Sequence, residues 1–130
     1  MRSRILFISE RHEDARDLSR MLRPSPVVLD HAENLQQART KLRQDEYDLI
    51  LTEAALPDGN WLDALHLARD CSYPINVLVT DQHADARFWA KALNMGVYDL
   101  VAQPFYEPEV RRILTNACTR RREGRTMAAV

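Results

Sequence analysis

Several short apolar runs in this chain end on, or just before, a residue able to do chemistry. Ile5-Leu6-Phe7-Ile8 leads into Ser9-Glu10, Leu49-Ile50-Leu51-Thr52 into Glu53, Ile75 to Val79 into Thr80, and Val97 to Ala102 into Gln103, which precedes Pro104-Phe105. Carboxylates and hydroxyls of this kind can hold a hard cation such as Mg²⁺, and a carboxylate can in principle attack phosphorus. Only Glu10 and Glu53 offer carboxylates here, which makes them weak candidates for a metal that surrenders its water reluctantly. Mg²⁺ binding is therefore expected to be weak or absent, with no other cofactor and no catalytic residue.

The elements that must position these residues follow from apolar periodicity. Short runs alternate with helical segments five times, the pattern of repeated βα units around a parallel sheet. First strand Arg4 to Ser9 is followed by a helix from Glu13 to Leu22, stopped before Pro24; Val27 to Leu29 is the second strand, and Asn34 opens a helix with Leu35, Ala38 and Leu42 on one face. Leu49 to Thr52 is apolar on successive residues, as a central strand covered on both faces must be. The turn Pro57-Asp58-Gly59-Asn60 leads to a helix from Trp61 to Arg69, a strand from Ile75 to Thr80, a helix from Asp85 to Met95 closed by Gly96, and a strand from Val97 to Ala102. A last helix runs from Glu107 to about Arg122, with Val110, Ile113, Leu114, Ala117 and Cys118 as its buried side. The fold class is thus α/β, a doubly wound five-stranded parallel sheet in a three-layer sandwich. In such sheets functional groups gather at the carboxyl ends of the strands, where strand order reverses.

The chain has 130 residues, enough for one compact domain, with 18 Lys+Arg against 19 Asp+Glu and a formal charge of -1. That balance gives no overall bias towards nucleic acid, and no direct nucleic-acid binding is expected. No apolar run approaches the roughly 20 residues of a membrane span, and no secretory core opens the chain, so a cytoplasmic protein is expected. Cys71 and Cys118 form no CxxC pair, and His12, His31, His66 and His83 lack ligand spacing.

With its elements in this order, the chain resembles the receiver domains of bacterial response regulators, the CheY-like modules of two-component and phosphorelay signal transduction. The resemblance rests on Ile5 to Ile8, on the stretch from Asp48 to Gly59, and on Gln103-Pro104-Phe105, and it covers residues 4 to 122. It implies a receiver-like domain over residues 1–122, with 123–130 a C-terminal tail or the start of a linker. Family members carry a phosphoacceptor aspartate where this chain has Glu53, a lysine where it has Gln103, and two acidic residues for Mg²⁺ where it has Ser9-Glu10. The resemblance therefore implies an atypical, pseudo-receiver pocket of Ser9, Glu10, Glu53, Thr80 and Gln103. Counting forward from Pro74 places Val79 at the fourth strand's end and counting back from Gly96 places Thr80 or its neighbour there; Thr80, with one extra loop residue after it, is preferred. The extra methylene of Glu53 displaces its oxygen by more than about 1 Å, a misplacement worth on the order of 100-fold in rate. Glu53 is either a solvated carboxylate or a permanent negative charge standing in for a phosphoryl group. Gln103 can donate a hydrogen bond but brings no charge. The Gln103-Pro104 bond is expected to be cis, as the family's Lys-Pro bond is.

At the family's aromatic switch position stands Leu100, with Tyr98 the nearest aromatic. The expected partner surface, made by the fourth helix, fifth strand and fifth helix, carries Arg87, Trp89, Lys91, Asp99, Arg111 and Arg112. Of Phe88 and Trp89, adjacent on one helix, one ring should be exposed. Arg120-Arg121-Arg122 and Arg125 are expected to complement the dipole at a helix end. The implied function is a phosphorylation-independent interaction or dimerisation module, the regulatory domain of a longer transcriptional regulator. Its partners would be proteins or itself, a histidine kinase or an effector domain among them, with no membrane. The alternative is a phosphotransfer-competent receiver using an unusual acceptor acid.

Overall fold

The computed structural model describes the backbone of residues 3–129 and the side chains of residues 3–119. Its main sheet holds five parallel strands in the order β2-β1-β3-β6-β7: β1 Ser3–Ile8, β2 Val27–Ala32, β3 Leu49–Glu53, β6 Asn76–Asp81 and β7 Asp99–Ala102. Between β3 and the next helix, β4 Ala55–Leu56 and β5 Gly59–Asn60 form a small antiparallel hairpin around Pro57-Asp58. Sequence reading treats that segment as a plain turn, because strands of two residues leave no periodicity to detect. The chain leaves β1 towards β2 and then crosses to β3 on the other side of β1, so strand order reverses between β1 and β3. Ser9 and Glu53 sit at the carboxyl ends of these two strands, the position at which open α/β sheets place ligands.

The helices are α1 His12–Met21, α2 Leu35–Gln44, α3 Trp61–Arg69, α4 Ala86–Asn94 and α5 Glu107–Ala129. Alternation along the strands divides the core into two layers. Ile5, Phe7, Leu49, Leu51, Leu78 and Val101 face α1 and α5, whereas Leu6, Ile8, Ile50, Val77, Val79 and Leu100 face α2, α3 and α4. Each fully buried Leu or Ile contributes about 1.5–3 kcal/mol relative to exposure. The central strand β3 is buried on both faces from Leu49 to Thr52, as its unbroken apolar run requires.

Local chemistry sets the ends of the elements. Asn34 caps α2 by accepting from Gln37 N, and Asp85 caps α4 by accepting from Phe88 N at 2.9 Å. At α3, Asn60 Oδ1 accepts from Leu62 N at 2.9 Å while Asp63 accepts from Asn60 N at 3.0 Å, a reciprocal capping box. Gly96 has φ +110, the left-handed backbone that lets the chain leave α4 without a Cβ penalty. The Gln103-Pro104 peptide is cis, as expected, and so is Arg23-Pro24. Helix α5 continues to Ala129, beyond the Arg122 at which periodicity fades, because helical backbone needs no apolar stripe to persist once nucleated. The side chains of Arg120, Arg121, Arg122 and Arg125 lie outside the described residues. Among the described residues, no helix is long and apolar enough to cross a membrane.

Candidate functional site at the carboxyl edge of the sheet

Glu53 ends β3 beside Thr80 on β6, its register partner, and Thr80 pairs in turn with Val101 on β7. Of the two strand-end choices, Val79 and Thr80, the structure places Thr80 at the site: Val79 is wholly buried in the layer facing α2, α3 and α4. The Thr80 hydroxyl donates to Val101 O at 2.7 Å. Gln103, one residue beyond β7, turns back over the edge. Its Nε2 donates to Glu53 Oε1 and Oε2 at 3.2 and 3.3 Å and to Thr80 Oγ1 at 3.0 Å. Ser9, wholly buried, lies with Oγ 3.5 Å from Glu53 Oε1 and accepts from Arg11 N at 3.0 Å. Ser9, Glu53, Thr80 and Gln103 are therefore brought together at one edge of the sheet.

Glu10 is not part of that network. It is exposed and borders a small cavity of about 110 Å³ with Ser9, Arg11, Glu53, Asp81 and Gln82, and it makes no hydrogen bond to Glu53. The second carboxyl at Glu53 comes instead from Asp14 in the first turn of α1, a residue that sequence reasoning missed. The one available signal was helical: Asp14 lies four residues before the core residue Leu18 and so shares its inward face. Asp14 Oδ2 is buried with no hydrogen-bond donor within reach, and Arg11 Nη1 stands 3.9 Å away.

Burial pushes the Glu53 carboxyl up to about 7; the Gln103 amide pulls it down, while Asp14, by charge and by hydrogen bonding, pushes it further up. Both readings of Glu53, the solvated carboxylate and the permanent negative charge, take an ionised group, and burial works against that ionisation. At neutral pH Glu53 is close to the midpoint of its own titration, because a half-buried carboxyl facing another carboxyl loses more hydration than one amide returns.

Receiver chemistry would call for Mg²⁺ here, and the donor set does not suit it. Both Glu53 oxygens receive N–H from Gln103, Ser9 supplies no carboxylate, and among the described residues no group of three His, Cys, Asp or Glu is placed to hold a metal.

The switch positions also separate. Leu100 is buried against the α2, α3 and α4 layer, while Tyr98, just before β7, is exposed and donates its backbone N–H to Val77 O at 2.8 Å. On the expected partner surface, Arg87, Lys91 and Arg112 are exposed, and Asp99 bonds its neighbour Leu100 N. Arg111 is a correction: its guanidinium donates to Met21 O and Arg23 O, each at 2.8 Å, so it ties α5 to the end of α1 and faces away from α4. A second correction concerns Phe88 and Trp89. Neither ring is exposed; both are partly buried against the core, Phe88 edge-on to Trp61 with centroids 5.7 Å apart.

The family model described as the response regulator receiver domain matches residues 5–115. The chain belongs to that family. A receiver domain is a module of two-component response regulators, and this one is homologous to transcriptional regulators. It is 28% identical over 124 residues to the probable transcriptional regulatory protein SilR of Salmonella typhimurium, covering 95% of this chain and 53% of that protein. The receiver domain thus spans about half the length of that relative. Among solved structures, the signal receiver domain of a putative LuxO repressor protein from Vibrio parahaemolyticus superposes with a TM-score of 0.90 at 17% identity, over 98% of each chain. That of an HD domain-containing protein from Pseudomonas fluorescens Pf-5 gives 0.80 at 26% identity, over 96% of this chain and 93% of that one.

Proposed function

We propose that this receiver domain signals without accepting a phosphoryl group and without Mg²⁺, as a protein-interaction or dimerisation module that forms the regulatory part of a longer transcriptional regulator. The observation that carries the reading is the Gln103 amide spanning Glu53 and Thr80 at 3.0–3.3 Å. It fills with an uncharged donor the space in which a phosphoryl group would need a cation, and an uncharged donor binds phosphoryl oxygens roughly half as strongly as a charged one. The partner surface is formed by α4, β7 and α5. There Arg87, Lys91 and Arg112 are exposed beside the exposed apolar Leu93, Met95 and Tyr98, a mixture of charge and apolar area that suits a protein partner.

Incubation with acetyl phosphate and Mg²⁺ followed by intact-mass measurement tests the first half. No mass gain is expected. A one-phosphate gain that disappears in Glu53→Gln would overturn the reading, and a gain that survives in that variant would establish another acceptor acid. Sedimentation over a concentration series tests the second half: a dimer weakened by charge reversal at Lys91 and Arg112 is expected, and a monomer throughout sinks it.

A further inference from the structure

β2 is an edge strand, so one row of its backbone N–H and C=O groups meets no neighbouring strand. Residues Val27 to His31 are nonetheless half-buried, because helices flank the strand on both faces. A groove of about 800 Å³ runs along the α1 side, lined by Ala15, Arg16, Ser19, Arg20, Arg23 and Leu29. On the α2 side a second groove of about 580 Å³ is lined chiefly by amides and hydroxyls, among them Asn34, Gln36, Gln37, Thr40 and Gln44, with Lys41. His31 borders both. Neither groove is lined by an aspartate or glutamate. Arg16, Arg20 and Arg23 follow one another at spacings of four and three, one face of α1 continued past its end. Arg20 is paired with Asp17 at 3.3 Å, which leaves Arg16 and Arg23 as cations without an acidic partner among the described residues. In a chain of net charge -1, this is a local concentration of positive charge.

We propose that β2 is a docking edge for an extended acidic segment of a partner protein, which adds a strand beside β2 and sets alternate carboxylates against Arg16 and Arg23. Edge addition supplies main-chain hydrogen bonds, and alternation along the added strand sends one set of side chains into each groove. The arginine-lined groove, floored by Ala15 and Leu29, takes acidic side chains; the amide-lined groove takes small polar ones. A second copy of this chain is the poorer occupant. Antiparallel pairing of β2 with itself brings two arginine stripes onto the same face, where like charges oppose one another.

The probe is a short peptide alternating glutamate with threonine, with a lysine–threonine peptide as control, added to the ¹⁵N-labelled intact chain. Amide shifts are expected to concentrate in residues 27–32 and along α1, for the glutamate peptide alone, and to fade as salt is raised. The Arg16→Glu/Arg23→Glu double variant should bind at least about tenfold more weakly, and Arg16→Lys/Arg23→Lys should retain binding. Equal binding of the two peptides, absence of binding, or shifts centred on α4 and α5 would overturn the proposal. So would self-association through residues 27–32 that proceeds without peptide, which assigns the edge to a second copy.

Discussion

Asp14, in the first turn of α1, acts on the Glu53 carboxyl at the end of β3 and raises it, while the Gln103 amide donates to Glu53 and lowers it. A second carboxyl beside a half-buried one makes its ionisation harder, and the Arg11 guanidinium, 3.9 Å from Asp14 Oδ2, offsets this only in part.

Burial of Glu53, helped by Asp14, fixes the sign of a pH effect. Glu53 is raised from an ordinary 4.5 to about 7 in the folded state. Its stabilising contribution is complete below the unfolded value and is lost as pH rises through the folded one. Wild type should therefore lose stability relative to Glu53→Gln between about pH 4.5 and 7 and run parallel to it above that range. Urea denaturation of both proteins at a series of pH values measures this, and parallel curves throughout would refute it.

Replacement of Glu53 by Asp alone should leave the protein unphosphorylated, because Gln103 still brings no positive charge. The triple change Ser9→Asp, Glu53→Asp, Gln103→Lys restores two carboxylates and the ammonium, and it should gain both Mg²⁺-dependent thermal stabilisation and a phosphate in intact-mass spectra. Millimolar Mg²⁺ should leave the wild-type melting temperature unchanged; a rise abolished by Glu10→Ala would contradict this.

Leu100 and Tyr98 should separate cleanly on truncation. Leu100 is 4% exposed and packs in the core, so Leu100→Ala should cost about 2–4 kcal/mol. Tyr98 is 36% exposed, and Tyr98→Ala should change stability by less than about 1 kcal/mol while weakening any dimer formed on that face. Chemical denaturation and sedimentation of the two variants give the comparison.

Tyr47 donates to Asp30 Oδ2 at 2.7 Å, and Arg4 donates to the same oxygen at 2.6 Å while its guanidinium lies 4.9 Å from the Tyr47 ring centroid. Burial pushes Asp30 upward, yet the bonds from Tyr47 and Arg4 outweigh it and hold the carboxyl below its usual range. Tyr47→Phe should cost about 1–2 kcal/mol at neutral pH, since one donor to a partly buried carboxylate is lost. Asp30 contributes its stability above its unfolded pKa and loses it as pH falls through the depressed folded value. The cost of Tyr47→Phe should accordingly shrink in acid, which denaturation at pH 7 and pH 3 would show.

Much of this molecule was legible in the amino-acid sequence because its elements are written in period and punctuation. The unbroken apolar run at Leu49 to Thr52 specified a central strand, the five buried positions of α5 followed from spacing alone, and Asn34 and Gly96 marked helix ends by their local backbone chemistry. The placement of Glu53, Thr80 and Gln103 at one edge followed from strand order. What the sequence could not supply were relationships between residues distant along the chain and governed by side-chain direction. Asp14 reaches Glu53, and Glu10 does not, because α1 turns inward the face that carries Asp14, Ala15 and Leu18. Arg111 turns to the end of α1 because two backbone carbonyls there have no helical partner. The near-neutral titration of Glu53 depends on how much water the folded pocket excludes, and only tertiary packing decides that.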